Sequence, residues 1–136
     1  MTILGLGFDA TDIPRVAAVF DRYGERFLRR IFTEGEIAYC TRRRDPVPHL
    51  AGRFAAKEAA MKALGTGHSR GVLWKDIEVV RKSGSAPELT LHGRTAGIAR
   101  ERGIARIHIT ITHDAGIAAA VAIAPAFTMG LNGRFD

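Results

Sequence analysis

Hydrophobic and polar residues follow a helical period early in the chain and a two-residue period towards its end. Apolar residues that recur at intervals of three or four predict one buried helical stripe: Val16, Phe20, Tyr23, Phe27 and Ile31. We expect this helix to extend from about Ile13 to Arg30, with an interruption near Gly24.

Three further helices are predicted from their end signals. The sequence TEGE at 33–36 matches a capping box, with Thr33 as the cap and Glu36 reaching back, and predicts a short helix over Ile37–Arg42. A longer helix is predicted over 49–64 and is ended by Gly65, whereas the two prolines of the segment 43–48 predict a loop before it. A last helix is predicted over 93–102, before Gly103.

The period of two residues predicts strands over 77–80, 88–92 and 107–112. The segment 117–124 is apolar on both faces and is therefore predicted to be a central strand, reached through a turn at 113–116. Ile3–Phe8 predicts a glycine-containing strand that joins the same sheet, with Asp9 at its end. The expected class is α+β, an antiparallel sheet packed with helices.

Composition indicates one folded domain with an anionic partner. The 136 residues are 46% hydrophobic and 25% charged, which is typical of a single globular domain over 1–136, with 125–136 as a loose tail. The formal net charge of +6 favours an anionic partner and does not distinguish between nucleic acid, a phosphorylated cofactor, a membrane surface and an acidic protein. Cys40 is the one cysteine and is interpreted as a packed small side chain.

The chain shows no targeting or membrane signal. The N-terminus lacks a basic segment and carries Asp9 and Asp12, unlike a signal peptide, and no apolar run has the roughly 20 residues that a membrane span needs. We therefore expect a cytoplasmic protein with no membrane partner.

Arginines repeat along one face of the first predicted helix. They are spaced by seven, four and three residues: Arg15, Arg22, Arg26 and Arg29. Two interpretations remain open from this pattern, a solvated face or a docking stripe for an acidic partner.

The helix over 49–64 carries the residues that could do chemistry. Phe54, Glu58 and Lys62 are spaced by four and form one stripe among alanines. One interpretation is a surface ion pair worth about 0.3–0.5 kcal/mol. The other adds Asp9, because two carboxylates suit Mg²⁺ and a neighbouring lysine suits a phosphate. His113, after the last-but-one strand, is either structural or catalytic.

Several ordered segments resemble one protein family. GLGFDATDIPRV at 5–16, FTEGE at 32–36, RFAAKEAAMKALGTG at 53–67 and ITITHDAGIAAAVAIA at 109–124 resemble the motifs of the holo-acyl-carrier-protein synthases, in the same order. These are small phosphopantetheinyl transferases. The resemblance implies that the chain moves 4′-phosphopantetheine from coenzyme A to a serine of apo-acyl carrier protein, uses Mg²⁺ and releases adenosine 3′,5′-bisphosphate, in support of fatty-acid or polyketide synthesis.

The resemblance also implies roles for particular residues. Asp9 and Glu58 correspond to metal-binding acids, and with Lys62 they form the implied catalytic set. The implied coenzyme A contacts are Arg53, Phe54, Gly65 and His113. The implied contacts to the acidic carrier are Arg15, Arg26 and Arg30. Family members of this length are commonly trimers with the coenzyme between subunits, which would place His113 opposite Asp9 and Glu58 of a neighbouring chain.

Some positions depart from the family pattern. Asp12, Thr110 and Asp114 replace the residue types that are frequent there, and SGSAP at 83–87 lacks a basic residue before the proline. None of these changes removes an implied metal ligand.

Two other functions are compatible with the charge. The first is a basic nucleic-acid-binding module, but aromatic residues make up only 7% and do not interleave with the arginine stripe, so we expect no nucleic-acid partner. The second is a non-catalytic domain that binds an acidic protein through Arg15, Arg22 and Arg26.

Overall fold

The computed structural model describes residues 2–126, so most of the tail predicted over 125–136 lies outside the described residues. The elements in chain order are β1 (Ile3–Asp12), α1 (Ile13–Tyr23), α2 (Glu25–Ile31), α3 (Glu34–Thr41), α4 (Pro46–Leu64), a 3₁₀ turn (Trp74–Asp76), β2 (Ile77–Val80), β3 (Glu88–Leu91), α5 (Gly93–Glu101), β4 (His108–Asp114) and β5 (Ile117–Pro125). None of the described helices is both long and apolar enough to span a bilayer.

The strands form two antiparallel sheets. The larger has the order β1-β5-β4, and the smaller is the pair β2-β3. The apolar segment over 117–124 is therefore central, as predicted, and β1 joins its sheet. The sequence had indicated one antiparallel sheet. In the structure β2 and β3 pair with each other and form a separate sheet.

Helix α4 covers one face of the larger sheet and forms the centre of the core. Its alanines are fully buried against β1 and β5. Glycines at 5 and 7 permit this close approach, because a Cβ atom at Gly5 or Gly7 would overlap the carbonyl oxygen of Ala63 or Ala59. The small residues on both elements thus bring the α4 backbone directly onto β1.

A buried ion pair joins α4 to α3 and the smaller sheet. Lys57 Nζ donates to Glu36 Oε1 at 2.7 Å, and both side chains are fully buried. Lys57 also donates to the carbonyl oxygens of Trp74 and Ile77, whereas Glu36 accepts from the backbone N–H of Val79. The predicted capping box is present, because Glu36 also accepts from the N–H of Thr33 and donates its own N–H to the Thr33 hydroxyl. Glu36 therefore caps the start of α3 and also neutralises a buried lysine.

Three predictions about element ends were wrong. β1 continues to Asp12 instead of ending at Phe8, because Asp9–Asp12 pair with Ala120–Ile117 of β5. Pro46 and Pro48 belong to the first turn of α4 and not to a loop, since the missing proline N–H groups have no partner to lose there and the Asp45 carboxylate caps Val47. His113 lies within β4, and the turn to β5 is only Ala115-Gly116, both with positive φ.

The first predicted helix is divided where expected. Gly24 has a φ of 53° and separates α1 from α2. Within the predicted stripe Val16 and Ile31 are buried, but Tyr23 is exposed, because it lies at the last turn of α1 beside this break. Cys40 is fully buried, and burial raises the pKa of its thiol to about 11.

Candidate active site

A cavity of about 350 Å³ lies between β1, α1 and α4. Asp9 and Glu58 both line it, so the fold brings together two carboxylates that are far apart in sequence. Phe54 and Arg15, two further residues implied by the resemblance, line the same cavity. The remaining lining residues are Ala10, Thr11, Asp12, Val16, Val19 and Phe27.

Both oxygens of the Asp9 carboxylate have a donor. Lys62 Nζ lies 3.2 Å from Oδ1, and the Thr11 hydroxyl donates to Oδ2 at 3.0 Å. Lys62 also donates to the carbonyl oxygen of Phe8 at 2.8 Å, which fixes the ammonium beside β1. The Asp9 side chain is 19% exposed and that of Lys62 is 54% exposed, so the carboxylate faces the cavity while the lysine borders solvent.

Glu58 contacts a residue that sequence reasoning missed. Its Oε2 atom lies 3.0 Å from His68 Nε2, and the Glu58 side chain is 18% exposed. Lys62, four residues further along α4, contacts Asp9 instead. The spacing of four therefore places Glu58 and Lys62 on one side of the helix, where each has its own partner.

The donor set of this cavity fits Mg²⁺. The ion binds through one or two carboxylates and keeps several waters or phosphate oxygens, and two carboxylates face the cavity here. Within residues 2–126 no group of three His, Cys, Asp or Glu side chains is close enough together to hold a metal ion. The two carboxylates would therefore fill only part of the coordination shell of Mg²⁺, and water or substrate phosphate oxygens would complete it.

An aromatic wall stands next to the carboxylates. The rings of Phe54 and Trp74 are stacked with centroids 6.4 Å apart, and the His68 ring lies 4.7 Å from Trp74. The Lys57 bond to the Trp74 carbonyl holds this wall to α4. Trp74 and His68 were missed because they follow α4 in an irregular glycine-containing segment, where no period assigns a direction to a side chain.

Arg53 and His113 line a different cavity, of about 250 Å³, together with His49 and Arg81. This cavity lies on the β4 side of α4, whereas Asp9 and Glu58 lie on its β1 side. The described part of a single chain therefore does not bring His113 to Asp9.

The second cavity is lined by basic side chains, and one of them has a buried nitrogen atom without a hydrogen-bond partner among the described residues. Arg53 is only 5% exposed, and its Nε atom has no hydrogen-bond partner among the described residues. Its guanidinium lies 4.1 Å from the centroid of the Tyr39 ring. The rings of His49 and His113 are 5.8 Å apart, and burial, followed by the charge of His113, lowers the pKa of His49.

Gly65 belongs to neither cavity. It ends α4 with a φ of 75°, and a Cβ atom there would meet the guanidinium of Arg102. The structure thus supports its predicted role as a helix end, and its implied contact with coenzyme A stays a prediction.

The arginines of the first two helices differ in their surroundings. Arg15 lines the cavity, Arg26 lies over the Tyr23 ring, and Arg30 lies 5.9 Å from the Trp74 ring centroid. Arg29 differs, because it pairs with Glu25 and Glu34, and these carboxylates raise its pKa, with Glu34 the larger influence. Arg29 is therefore a poorer candidate for a carrier contact than Arg15, Arg26 and Arg30.

Comparison with known proteins relates the chain to one group. Residues 5–122 match the family model of the 4′-phosphopantetheinyl transferase superfamily. A protein of Koribacter versatilis named holo-[acyl-carrier-protein] synthase is 46% identical over 121 residues, which are 89% of this chain and 97% of the relative.

Solved structures of the same group are also similar. The holo-[acyl-carrier-protein] synthase of Neisseria meningitidis has a TM-score of 0.83 at 30% identity, covering 90% of this chain and 98% of its own. The Helicobacter pylori enzyme, solved in complex with coenzyme A, has a TM-score of 0.77 at 32% identity over 88% of this chain and 98% of its own.

Proposed function

The chain belongs to the holo-[acyl-carrier-protein] synthases of the 4′-phosphopantetheinyl transferase superfamily, and we propose that the cavity between β1 and α4 is its active site. There it moves 4′-phosphopantetheine from coenzyme A to a serine of apo-acyl carrier protein. The observation that carries this assignment is that Asp9 and Glu58 line one cavity, with Lys62 in contact with Asp9.

The reaction is a displacement at phosphorus. The serine hydroxyl oxygen bonds to the phosphorus that bears the pantetheine arm, and the bond from that phosphorus to the bridging oxygen breaks. Adenosine 3′,5′-bisphosphate leaves with the electron pair. Little covalent chemistry is required of the protein, so positioning and charge stabilisation dominate.

Asp9 and Glu58 would hold Mg²⁺, which when bound neutralises charge on the pyrophosphate oxygens. Lys62 supplies a second positive charge beside them. Its ammonium is half exposed and is bonded to Asp9 and to a carbonyl oxygen, so it can turn towards the leaving phosphate without a change in the backbone. It is the candidate to neutralise or protonate that group.

Glu58 is the candidate to accept the serine proton. Its carboxylate faces the cavity, and one of its oxygens is in contact with His68. A general base must come within hydrogen-bond reach of the proton that it accepts, and a carboxylate in this cavity would meet a serine that enters it.

Coenzyme A would extend between two copies of the chain. In the described part of one chain Arg53 and His113 line a different cavity from Asp9, so a neighbouring copy would supply the second set of contacts. The buried Arg53 without a partner at Nε suits an anionic group of the ligand. Phe54 borders the first cavity and Gly65 ends the same helix.

A homotrimer would supply the second face. The face of β1 that points away from α4 exposes large apolar side chains, with Leu6 66% and Phe8 58% exposed. Such a face on an otherwise packed sheet is typical of a subunit interface. The acidic carrier would dock on Arg15, Arg26 and Arg30, next to the cavity that receives its serine.

The activity is tested by mass spectrometry of the carrier protein. Incubation with coenzyme A and Mg²⁺ should add the mass of phosphopantetheine to an apo-carrier, and omission of either component should prevent it. Carriers of fatty-acid and polyketide systems, tried side by side, identify the acceptor. If no carrier gains this mass, the assigned transfer is wrong.

The shared site is tested by mixing variants. Asp9→Asn and His113→Ala should each be inactive alone, and a mixture reassembled from dissociated chains should regain activity, because some interfaces then contain both intact residues. A mixture as inactive as its components would exclude a site built from two chains.

A further inference from the structure

We propose that Thr11 is a positioning residue for the Asp9 carboxylate, and that its hydroxyl raises the affinity of the site for Mg²⁺. The inference rests on the proposed role of Asp9 in holding the ion. Thr11 has no assigned role in the resemblance described above, and it lines the same cavity as Asp9 and Glu58.

The register of β1 places the two side chains together. Residues two apart on a strand share a face, and Asp9 and Thr11 pair with Ala120 and Ala118 of β5. Both alanines are buried on the face that α4 covers, so Asp9 and Thr11 are on that face as well. The Thr11 hydroxyl donates to Oδ2 of Asp9 at 3.0 Å.

The backbone around Asp9 is fixed, so the side-chain torsions are its main freedom. Asp9 lies well inside β1, whose pairing with β5 is unbroken from Gly5 to Asp12. Threonine is β-branched and restricted about χ1, so its hydroxyl oxygen has few alternative positions beside Asp9. A carboxylate held in this way loses less freedom when it binds a cation.

The two donors to Asp9 differ in what they can do during the reaction. Lys62 is the group proposed to serve the leaving phosphate, so its contact with Oδ1 is an interaction that it gives up. The Thr11 hydroxyl is neutral and has no such task, so it can hold Oδ2 throughout. Partners of this kind, which orient a metal ligand, typically contribute about 10- to 100-fold in metal affinity.

The test compares Thr11→Val, which keeps the shape and removes the hydroxyl, with Thr11→Ser, which keeps the hydroxyl. Binding of Mn²⁺ is measured by electron paramagnetic resonance with coenzyme A present and corrected for Mn²⁺ bound by free coenzyme A. Mg²⁺ affinity is then obtained by competition. Thr11→Val should weaken Mg²⁺ binding by about tenfold or more, and Thr11→Ser should remain near the unsubstituted enzyme.

Kinetics provide a second readout. The Mg²⁺ concentration for half-maximal transfer should rise for Thr11→Val by a similar factor, whereas the rate at saturating Mg²⁺ should be largely retained. Thr95→Val is the matched control, because the Thr95 hydroxyl donates to Asp76 Oδ2 at the same 3.0 Å outside the site. It should leave Mg²⁺ affinity unchanged.

Two results would overturn the inference: wild-type Mg²⁺ affinity in a folded Thr11→Val enzyme, or equal losses in Thr11→Val and Thr11→Ser. Asp9→Asn separates this failure from that of the proposed function. If Asp9→Asn abolishes Mn²⁺ binding but Thr11→Val does not weaken it, only the role of Thr11 is wrong. If Asp9→Asn binds Mn²⁺ normally, the metal site itself is misassigned.

Discussion

Two lysines on α4 form ion pairs of opposite character. Lys57 and its partner Glu36 are fully buried, and every donor and acceptor of the pair meets another group. Burial lowers the pKa of Lys57, and the charge of Glu36 acts in the opposite direction. Lys62 and Asp9 are linked by a longer contact at the edge of a cavity. The first pair holds elements in place, whereas the second is exposed enough for Lys62 to change partners.

Removing one member of the buried pair should be costly. Lys57→Met leaves the Glu36 carboxylate buried without its counter-charge, and breaking such a pair typically costs about 3–5 kcal/mol of unfolding free energy. Lys62→Met is the control and should cost less than about 1 kcal/mol while it reduces transfer. Chemical denaturation at one fixed protein concentration measures the unfolding free energy of both variants. Equal losses of stability would contradict the distinction between the two pairs.

The residues of the site were predicted to different extents. Glu58 and Lys62 share one stripe of α4 by their spacing, but only the family motifs connected them with Asp9. Thr11 would have followed from the period of β1 had the strand been predicted to its true end. That end depends on pairing with β5, more than 100 residues away in the chain, which local sequence does not encode. His68 lies in an irregular segment, and no sequence pattern indicated that it would contact Glu58.

At the scale of elements, the contact of β1 with α4 determines the position of the site. Asp9 comes from the strand and Glu58 from the helix, so the distance between these elements controls the cavity. That distance depends on the glycines of β1 and the alanines of α4. The prolines in the first turn of α4 were wrongly predicted to form a loop, because the fixed φ of proline suits a helix start as well as a loop.

A methyl group in this contact should destabilise the protein. Gly7→Ala places a Cβ atom against the Ala59 carbonyl oxygen, and overpacking of this kind costs about 1–3 kcal/mol or more. Gly97→Ala in α5 is the control, because a Cβ atom there meets nothing nearer than 3.9 Å and alanine favours a helix by about 0.5–1 kcal/mol. Thermal denaturation should show a lower midpoint for Gly7→Ala only. A Gly7→Ala protein as stable as the parent would contradict the packing.

The junction of α3 with the smaller sheet should be acid-sensitive. The Thr33 hydroxyl donates to Glu78 Oε2 at 2.6 Å, and this bond, together with His92, lowers the pKa of Glu78 below its usual 4.5. A carboxyl whose pKa is lower in the folded state contributes stability above its unfolded pKa, and the contribution disappears as the pH falls through the folded value.

Glu78→Gln should therefore be less stable than the parent at pH 7, and its midpoint should fall less steeply below about pH 4.5. Thermal midpoints of both proteins measured from pH 3 to pH 7 provide the comparison. Parallel curves for the two proteins would show that Glu78 does not contribute to acid sensitivity.

At the scale of the whole molecule, the exposed apolar face of β1 is the proposed subunit interface, and assembly would then be required for activity. Leu6→Asp introduces a charge on this face and should dissociate the proposed trimer, as measured by sedimentation velocity. Transfer should fall with it, because Arg53 and His113 of a neighbour would no longer reach the cavity. Val80→Asp, a change at another exposed apolar position, should leave both properties intact. A fully active monomer of Leu6→Asp would contradict the shared site.

The assignment of the transfer to the cavity that contains Asp9 and Glu58 is tested most directly by the rate at which apo-acyl carrier protein gains the phosphopantetheine mass. The rate is measured for Asp9→Asn, Glu58→Gln and the control Glu101→Gln, each shown to be folded by circular dichroism. We predict losses of about 10²–10³-fold or more for the first two variants and none for the control. Transfer at the parental rate by a folded Asp9→Asn or Glu58→Gln enzyme would contradict the account.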